Sequence, residues 1–63
     1  MKLKVFDVVE LEDGNKATIK EELNDNKFKA EIVDENGITK DVRIIDEEEI
    51  KRIVVIKNEQ ENL

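Results

Sequence analysis

The sequence predicts an all-β fold, a small barrel of five antiparallel strands with one helical turn before the last strand. Apolar residues recur with a period of two along most of the chain, as they do in strands with one buried face. Turn signals rich in Gly, Asn and Asp separate these stretches. A helix-capping pattern lies between the fourth and fifth predicted strands. The 63 residues fit one domain, which we expect at residues 1–57, followed by a frayed polar tail at 58–63.

Two strands are predicted in the first part of the chain, over residues 3–11 and 16–23. Between them Asp13 and Gly14 form a turn signal, because Gly readily adopts the positive φ of a tight turn. A second turn is expected at Asn24-Asp25-Asn26. The residues expected on the buried faces are Leu3, Val5, Val9 and Leu11 in the first strand, and Ala17, Ile19 and Leu23 in the second.

The third and fourth strands are predicted over residues 27–33 and 38–45. Asn36-Gly37 between them fits a type I′ hairpin turn. Alternation is clean in the third strand, where lysines and Glu31 separate the apolar positions. The residues expected to face the core are Phe28, Ala30 and Ile32 in the third strand, and Ile38, Val42 and Ile44 in the fourth.

The segment after the fourth strand contains four consecutive carboxylates. Asp46, followed three residues later by Glu49, is a capping box that can start one helical turn. A fifth strand is then predicted from Ile53 to Ile56. The alternative is a four-stranded antiparallel sheet with a C-terminal helix from Asp46 to about Gln60. Four consecutive β-branched residues at 53–56 disfavour that helix, because they lose side-chain freedom in it.

Composition excludes several kinds of function. The chain has no His, Cys, Ser or Tyr, so it lacks the usual nucleophiles and the proton shuttle of neutral pH, and we expect no enzyme activity. Its Asn- and Asp-rich segments do not have the spacing of a calcium loop and are explained by turn chemistry, so we expect no metal and no cofactor. No membrane span or signal peptide is visible, which predicts a cytoplasmic protein.

The net charge of −6 is confined to one third of the chain. Residues 31–49 contain eight acidic and two basic residues, and the remaining charges balance. A phosphate backbone would be repelled from that side, which disfavours direct nucleic-acid binding there. The same carboxylates could instead occupy the basic cleft of a DNA-processing protein.

Three stretches resemble the Src-homology-3-like (SH3-like) barrels, and more narrowly short bacterial or phage proteins of that fold with no assigned function. They are Phe6-Asp7-Val8-Val9-Glu10-Leu11, the segment from Gly14 to Ile19, and Glu35-Asn36-Gly37. The resemblance extends to about Ile56 and implies a fold, not an activity. Peptide-binding members of this fold use aromatic grooves for proline-rich ligands. This chain has no Trp or Tyr, which disfavours that function.

The sequence therefore predicts a non-enzymatic binding module with a protein partner, and a homodimer through an edge strand is one possibility. The residues expected at the binding surface are Ile45, Asp46, Glu47, Glu48, Glu49 and Ile56. The first alternative is an acidic inhibitor that mimics nucleic acid. A weaker alternative is a nucleic-acid-binding barrel that uses the outward lysines of the second and third strands, Lys16, Lys20, Lys27 and Lys29.

Overall fold

The computed structural model describes residues 2–54, which form one antiparallel sheet in the order β4-β3-β2-β1-β5. The elements are β1 (Val8–Leu11), β2 (Lys16–Asn24), β3 (Lys27–Val33), β4 (Thr39–Asp46), a 3-10 turn (Glu47–Glu49) and β5 (Ile50–Val54). The predicted fold class is confirmed: five antiparallel strands with one helical turn before the last. The alternative with a C-terminal helix is wrong for the described residues, because Ile50–Val54 is a strand.

One face of the sheet carries the core. Every strand contributes to it, and the half-buried Ile53 packs against it. Leu3, which precedes β1, adds one more side chain. The buried residues are Leu3, Val9, Leu11, Ala17, Ile19, Phe28, Ala30, Ile32, Ile45 and Ile50. Alternation in β3 is as predicted, with Phe28, Ala30 and Ile32 all buried. These residues form the sheet because burying a single apolar face requires a period of two.

The chain before β1 does not form the long first strand that the sequence predicts. A turn at Val5 and Phe6 interrupts it: the Asp7 N–H donates to the Lys4 carbonyl at 3.0 Å, and Phe6 has a positive φ of 75°. The turn breaks the alternation, so Val5 is exposed although it was expected in the core. Leu3 is buried, as predicted, but through a separate segment of chain.

The face assigned to β4 from the sequence is wrong. Ile38, Val42 and Ile44 are 62%, 48% and 57% exposed, whereas Ile45 is completely buried. For Val42 and Ile44 the cause is a bulge in the β3–β4 pairing, since Val33 pairs with Thr39 but Ile32 pairs with Asp41, whereas Ile38 lies before the strand. The extra residue shifts the register by one position, and such a shift moves every side chain of a strand to the opposite face.

The turn between β3 and β4 also differs from the prediction. A type I′ turn needs positive φ at both central residues, and here Gly37 has a φ of 81° while Asn36 does not have a positive φ. The Asp34 carboxylate instead organises the turn, because its Oδ1 accepts from the N–H groups of Asn36 and Ile38 at 2.8 and 3.0 Å. The hydrogen bond from Ile38 is the main cause that lowers the pKa of Asp34, and the bond from Asn36 adds to it.

Two further predictions are corrected at strand ends. Leu23 was expected in the core and is exposed, because the pairing of β2 with β3 shifts between Ile19 and Glu21 and again between Glu22 and Asn24. The last strand begins at Ile50, three residues earlier than predicted. Ile56 and the expected tail at residues 58–63 lie outside the described residues.

Candidate functional site

The acidic segment forms a capped turn between β4 and β5. The Asp46 Oδ1 accepts from the Glu48 N–H at 3.0 Å, and the Asp46 N–H donates to the Glu49 Oε2 at 3.2 Å. The Asp46 side chain also accepts from the Glu49 main chain, and this bond and the one from the Asp46 N–H to Glu49 make the capping box that the sequence predicts. The turn carries the chain from the outermost strand on one side of the sheet to the outermost strand on the other.

Basic side chains of β3 and β4 neutralise part of the acidic segment. The Lys27 Nζ contacts the Asp46 Oδ2 at 2.6 Å, and the Arg43 guanidinium donates to the Glu49 Oε1 at 3.1 Å. The hydrogen bond from Lys27 holds the pKa of Asp46 below its ordinary value, and the same bond raises the pKa of Lys27. Asp46 and Glu49 therefore have cationic partners, which offset part of the negative charge of the segment.

The structure brings together only some of the predicted binding residues. The carboxylates of residues 46–49 lie around the same turn. Ile45 does not belong with them at the surface: it is fully buried opposite Phe28 and cannot contact a partner in this fold. The prediction that Ile45 is a surface contact is wrong, for the same reason that the face of β4 was misassigned.

A different apolar surface lies on the outer face of β4. Val42 and Ile44 both point to this face, and the exposed Ile38 directly precedes the strand. Across the sheet, Val42 continues a row of paired residues through Glu31 and Thr18 to the half-buried Val8. The apolar spacing of β4 was visible in the sequence, but it was assigned to the core.

The open edge of β4 presents main-chain groups that no strand within residues 2–54 pairs with. The Ile19 carbonyl and N–H bond with Phe6 and Asp7, on the side of β2 away from β3. Ala30 pairs with Ile19, and because the Ile19 groups point away from β3, the N–H and carbonyl of Ala30 point away from β2, toward Arg43 of β4. Main-chain groups point to alternate sides along a strand. Val42 consequently points its N–H and carbonyl away from β3, where the described residues contain no neighbouring strand.

Lysines on β2 and β3 are interleaved with acids. Lys20 lies 4.9 Å from the ring centre of Phe6, which is 68% exposed, and its Nζ is 3.9 Å from Glu31. Lys16 pairs with Glu10 in the sheet register, Lys29 pairs with Glu21, and Lys27 holds Asp46. These cross-strand pairings account for the lysines without a nucleic-acid partner.

The comparisons with known proteins do not assign this chain to a family. Comparison with known protein families, with curated proteins and with solved structures finds no match for this chain. The likeness to Src-homology-3-like barrels therefore stays a prediction. Across residues 2–54, no helix has both the length and the apolar character needed to cross a bilayer.

Proposed function

We propose that this protein is a non-enzymatic, cytoplasmic binding module that docks a protein partner along the outer face and open edge of β4. The observation that carries this proposal is the exposure of Val42 and Ile44 on one outermost strand, together with the exposed Ile38 directly before it. Outermost strands commonly carry charges that discourage pairing. Three large aliphatic side chains at such an edge favour contact with another chain.

The energetics support a docking surface of modest strength. Fully burying an aliphatic side chain contributes about 1.5–3 kcal/mol, so covering these three half-exposed side chains contributes on the order of 3 kcal/mol. Main-chain hydrogen bonds to the groups of Val42 and Ile44 that point outward would add to this, as when an extended segment joins a sheet edge. A partner that supplies a strand uses both contributions.

The acidic inhibitor that mimics nucleic acid is the second candidate. The observation that favours it is the concentration of the net charge of −6 within residues 31–49. Replacing Glu47 and Glu48 together by Lys would abolish a salt-sensitive complex with a DNA-processing protein. A complex that survives both replacements and high salt would argue against mimicry and for an apolar interface.

Site-specific photocrosslinking in the producing cells tests the main proposal. A photoreactive phenylalanine analogue at position 44 samples the outer face of β4, and the same analogue at the exposed Lys51 of β5 is the matched control. We expect discrete crosslinked products from position 44 and only background from position 51. Equal labelling from both positions, or none from position 44, would refute the docking surface.

A further inference from the structure

We infer that the partner of β4 is a second copy of this chain, paired antiparallel with Val42 opposite Val42 of the second copy. This inference rests on the proposed function, because it names the occupant of that same surface. A two-fold axis through the Val42 pair would join the two sheets edge to edge, with both outer faces on the same side.

Main-chain geometry permits this pairing. Val42 directs its N–H and carbonyl to the open edge, as the Ile19–Ala30–Arg43 pairings require. Two such residues placed opposite each other exchange a reciprocal pair of hydrogen bonds. Lys40 and Ile44 lie two residues to either side of Val42 and face each other across the axis.

Charge complementarity selects this register from its neighbours. With Val42 at the axis, each Asp41 lies opposite Arg43 of the second copy, so the dimer contains two opposite-charge pairs. Placing the axis at Lys40, Asp41 or Arg43 instead sets that residue against its own copy, and directly opposed like charges destabilise a strand pair. An axis at Ile44 sets Asp41 against Glu47 and Val42 against Asp46.

Apolar contacts favour the same register. The two Val42 side chains meet on the outer face, and each Ile44 lies diagonal to Val42 of the second copy, within reach of a long side chain. Each Ile44 also lies opposite a Lys40, whose aliphatic stem can cover it while the ammonium group stays in water. Val42 and Ile44 thus gain contacts that residues 2–54 of a single copy leave open.

Asp41 has a different hydrogen bond in the single chain. Its Oδ1 accepts from the Val42 N–H at 2.8 Å, which satisfies an edge group that none of the five described strands reaches. In the dimer the Val42 N–H donates to the carbonyl of the second copy, and the Asp41 carboxylate is released to Arg43 across the axis. Arg43 already contacts Glu49 at 3.1 Å and Asp13 at 4.0 Å, and its five N–H donors can serve Asp41 of the second copy as well.

Single cysteine substitutions test the register, since the chain has no native cysteine. Val42→Cys sets two thiols in a directly opposed pair with Cα atoms about 5.5 Å apart, within disulfide range. Ile44→Cys is the matched control on the same exposed face, and its two Cα atoms would be about 14 Å apart. In a glutathione buffer we expect at least tenfold more disulfide-linked dimer from Val42→Cys. Equal linkage in both variants, or none from Val42→Cys, would overturn the inference.

Complementary charge variants give an independent test that does not need a disulfide. Asp41→Arg sets Arg against Arg across the axis, and Arg43→Asp sets Asp against Asp, so neither variant should self-associate. Mixed together, they restore both opposite-charge pairs, and sedimentation should detect a heterodimer. We expect the unmodified chain to dimerise weakly, because edge pairing buries little area, so the series extends to about 1 mM protein at about 0.15 M salt.

The outcomes separate this inference from the proposed function. A monomer at every concentration, together with crosslinks from position 44 to a different protein, overturns the self-pairing and retains the docking surface. Crosslinks from position 44 between two copies support both. A fully folded Asp41→Arg variant that dimerises like the unmodified chain would overturn the register. Circular dichroism of each variant establishes that it is folded.

Discussion

Ile44 and Ile45 are neighbours on β4 with opposite exposure, and shortening each side chain tests which one packs in the core. Ile45→Val removes one buried methyl group, which costs about 0.5–1.5 kcal/mol. Ile44→Val acts on a side chain that is 57% exposed, and surface substitutions usually change stability by less than about 0.5 kcal/mol. The loss at Ile45 is a large fraction of the whole, because a chain of this length has a free energy of unfolding of about 3–9 kcal/mol.

Urea denaturation followed by far-ultraviolet circular dichroism measures the difference, since the chain has no Trp or Tyr for fluorescence. With a denaturant dependence of about 1 kcal/mol per molar urea for a small domain, Ile45→Val lowers the midpoint by about 0.5–1.5 M. Low protein concentration keeps self-association out of the result. A larger loss for Ile44→Val than for Ile45→Val would refute the register of β4 and every argument built on it.

Three further predictions concern the turns and the charges. Gly37→Ala forces a side chain into the left-handed region and should lower the free energy of unfolding by about 1–2 kcal/mol, measured by the same urea titration; an unchanged midpoint would contradict the φ of 81°. Phe6→Asn relieves similar backbone strain but removes the contact with Lys20, which is worth about 0.5–1 kcal/mol. The two effects oppose each other, so the thermal unfolding midpoint should change little. A large fall in the midpoint would mean that the Phe6 ring packs against the fold. Because the pKa of Asp46 is lowered in the fold, its stabilisation is present above about pH 3.9 and is lost as the pH falls through the lowered pKa. Asp46→Asn should therefore weaken the acid dependence of the urea midpoint, and an identical pH profile would contradict the pairing with Lys27.

Local patterns were sufficient to predict the number of strands, the bounds of β3 and the capped turn. The bounds of β3 follow from its clean alternation between two turn signals, and its three apolar residues are all buried. The capping box of Asp46 and Glu49 was readable because it depends on residue types at a fixed short spacing. Interactions of this kind lie within a few residues of each other, so a single sequence contains them in full.

Features that depend on pairing between strands could not be read in the same way. The bulge opposite Ile32 and Val33 cannot be recognised from the residue types of β4. The face of β4 was therefore assigned from the three apolar residues at positions 38, 42 and 44, which placed Ile45 on the opposite face. The turn at Phe6 was missed because φ near 75° is unusual for a bulky residue. The binding surface predicted from the sequence included Ile45 because its position depended on the face of β4.

The pairing of the first strand with the last has a consequence for the order of folding. Glu10 and Arg52 are in contact although they lie 42 residues apart, and closing a loop of that length costs about 2 kcal/mol more in chain entropy than closing a four-residue turn. We expect the β2–β3–β4 meander to form early and β5 to join β1 last. Destabilising substitutions at Ile53 should then mainly accelerate unfolding, whereas substitutions at Ile32 should slow refolding. The sheet therefore stays incomplete during synthesis until β5 has left the ribosome, and until then the edge of β1 that pairs with β5 has no strand beside it.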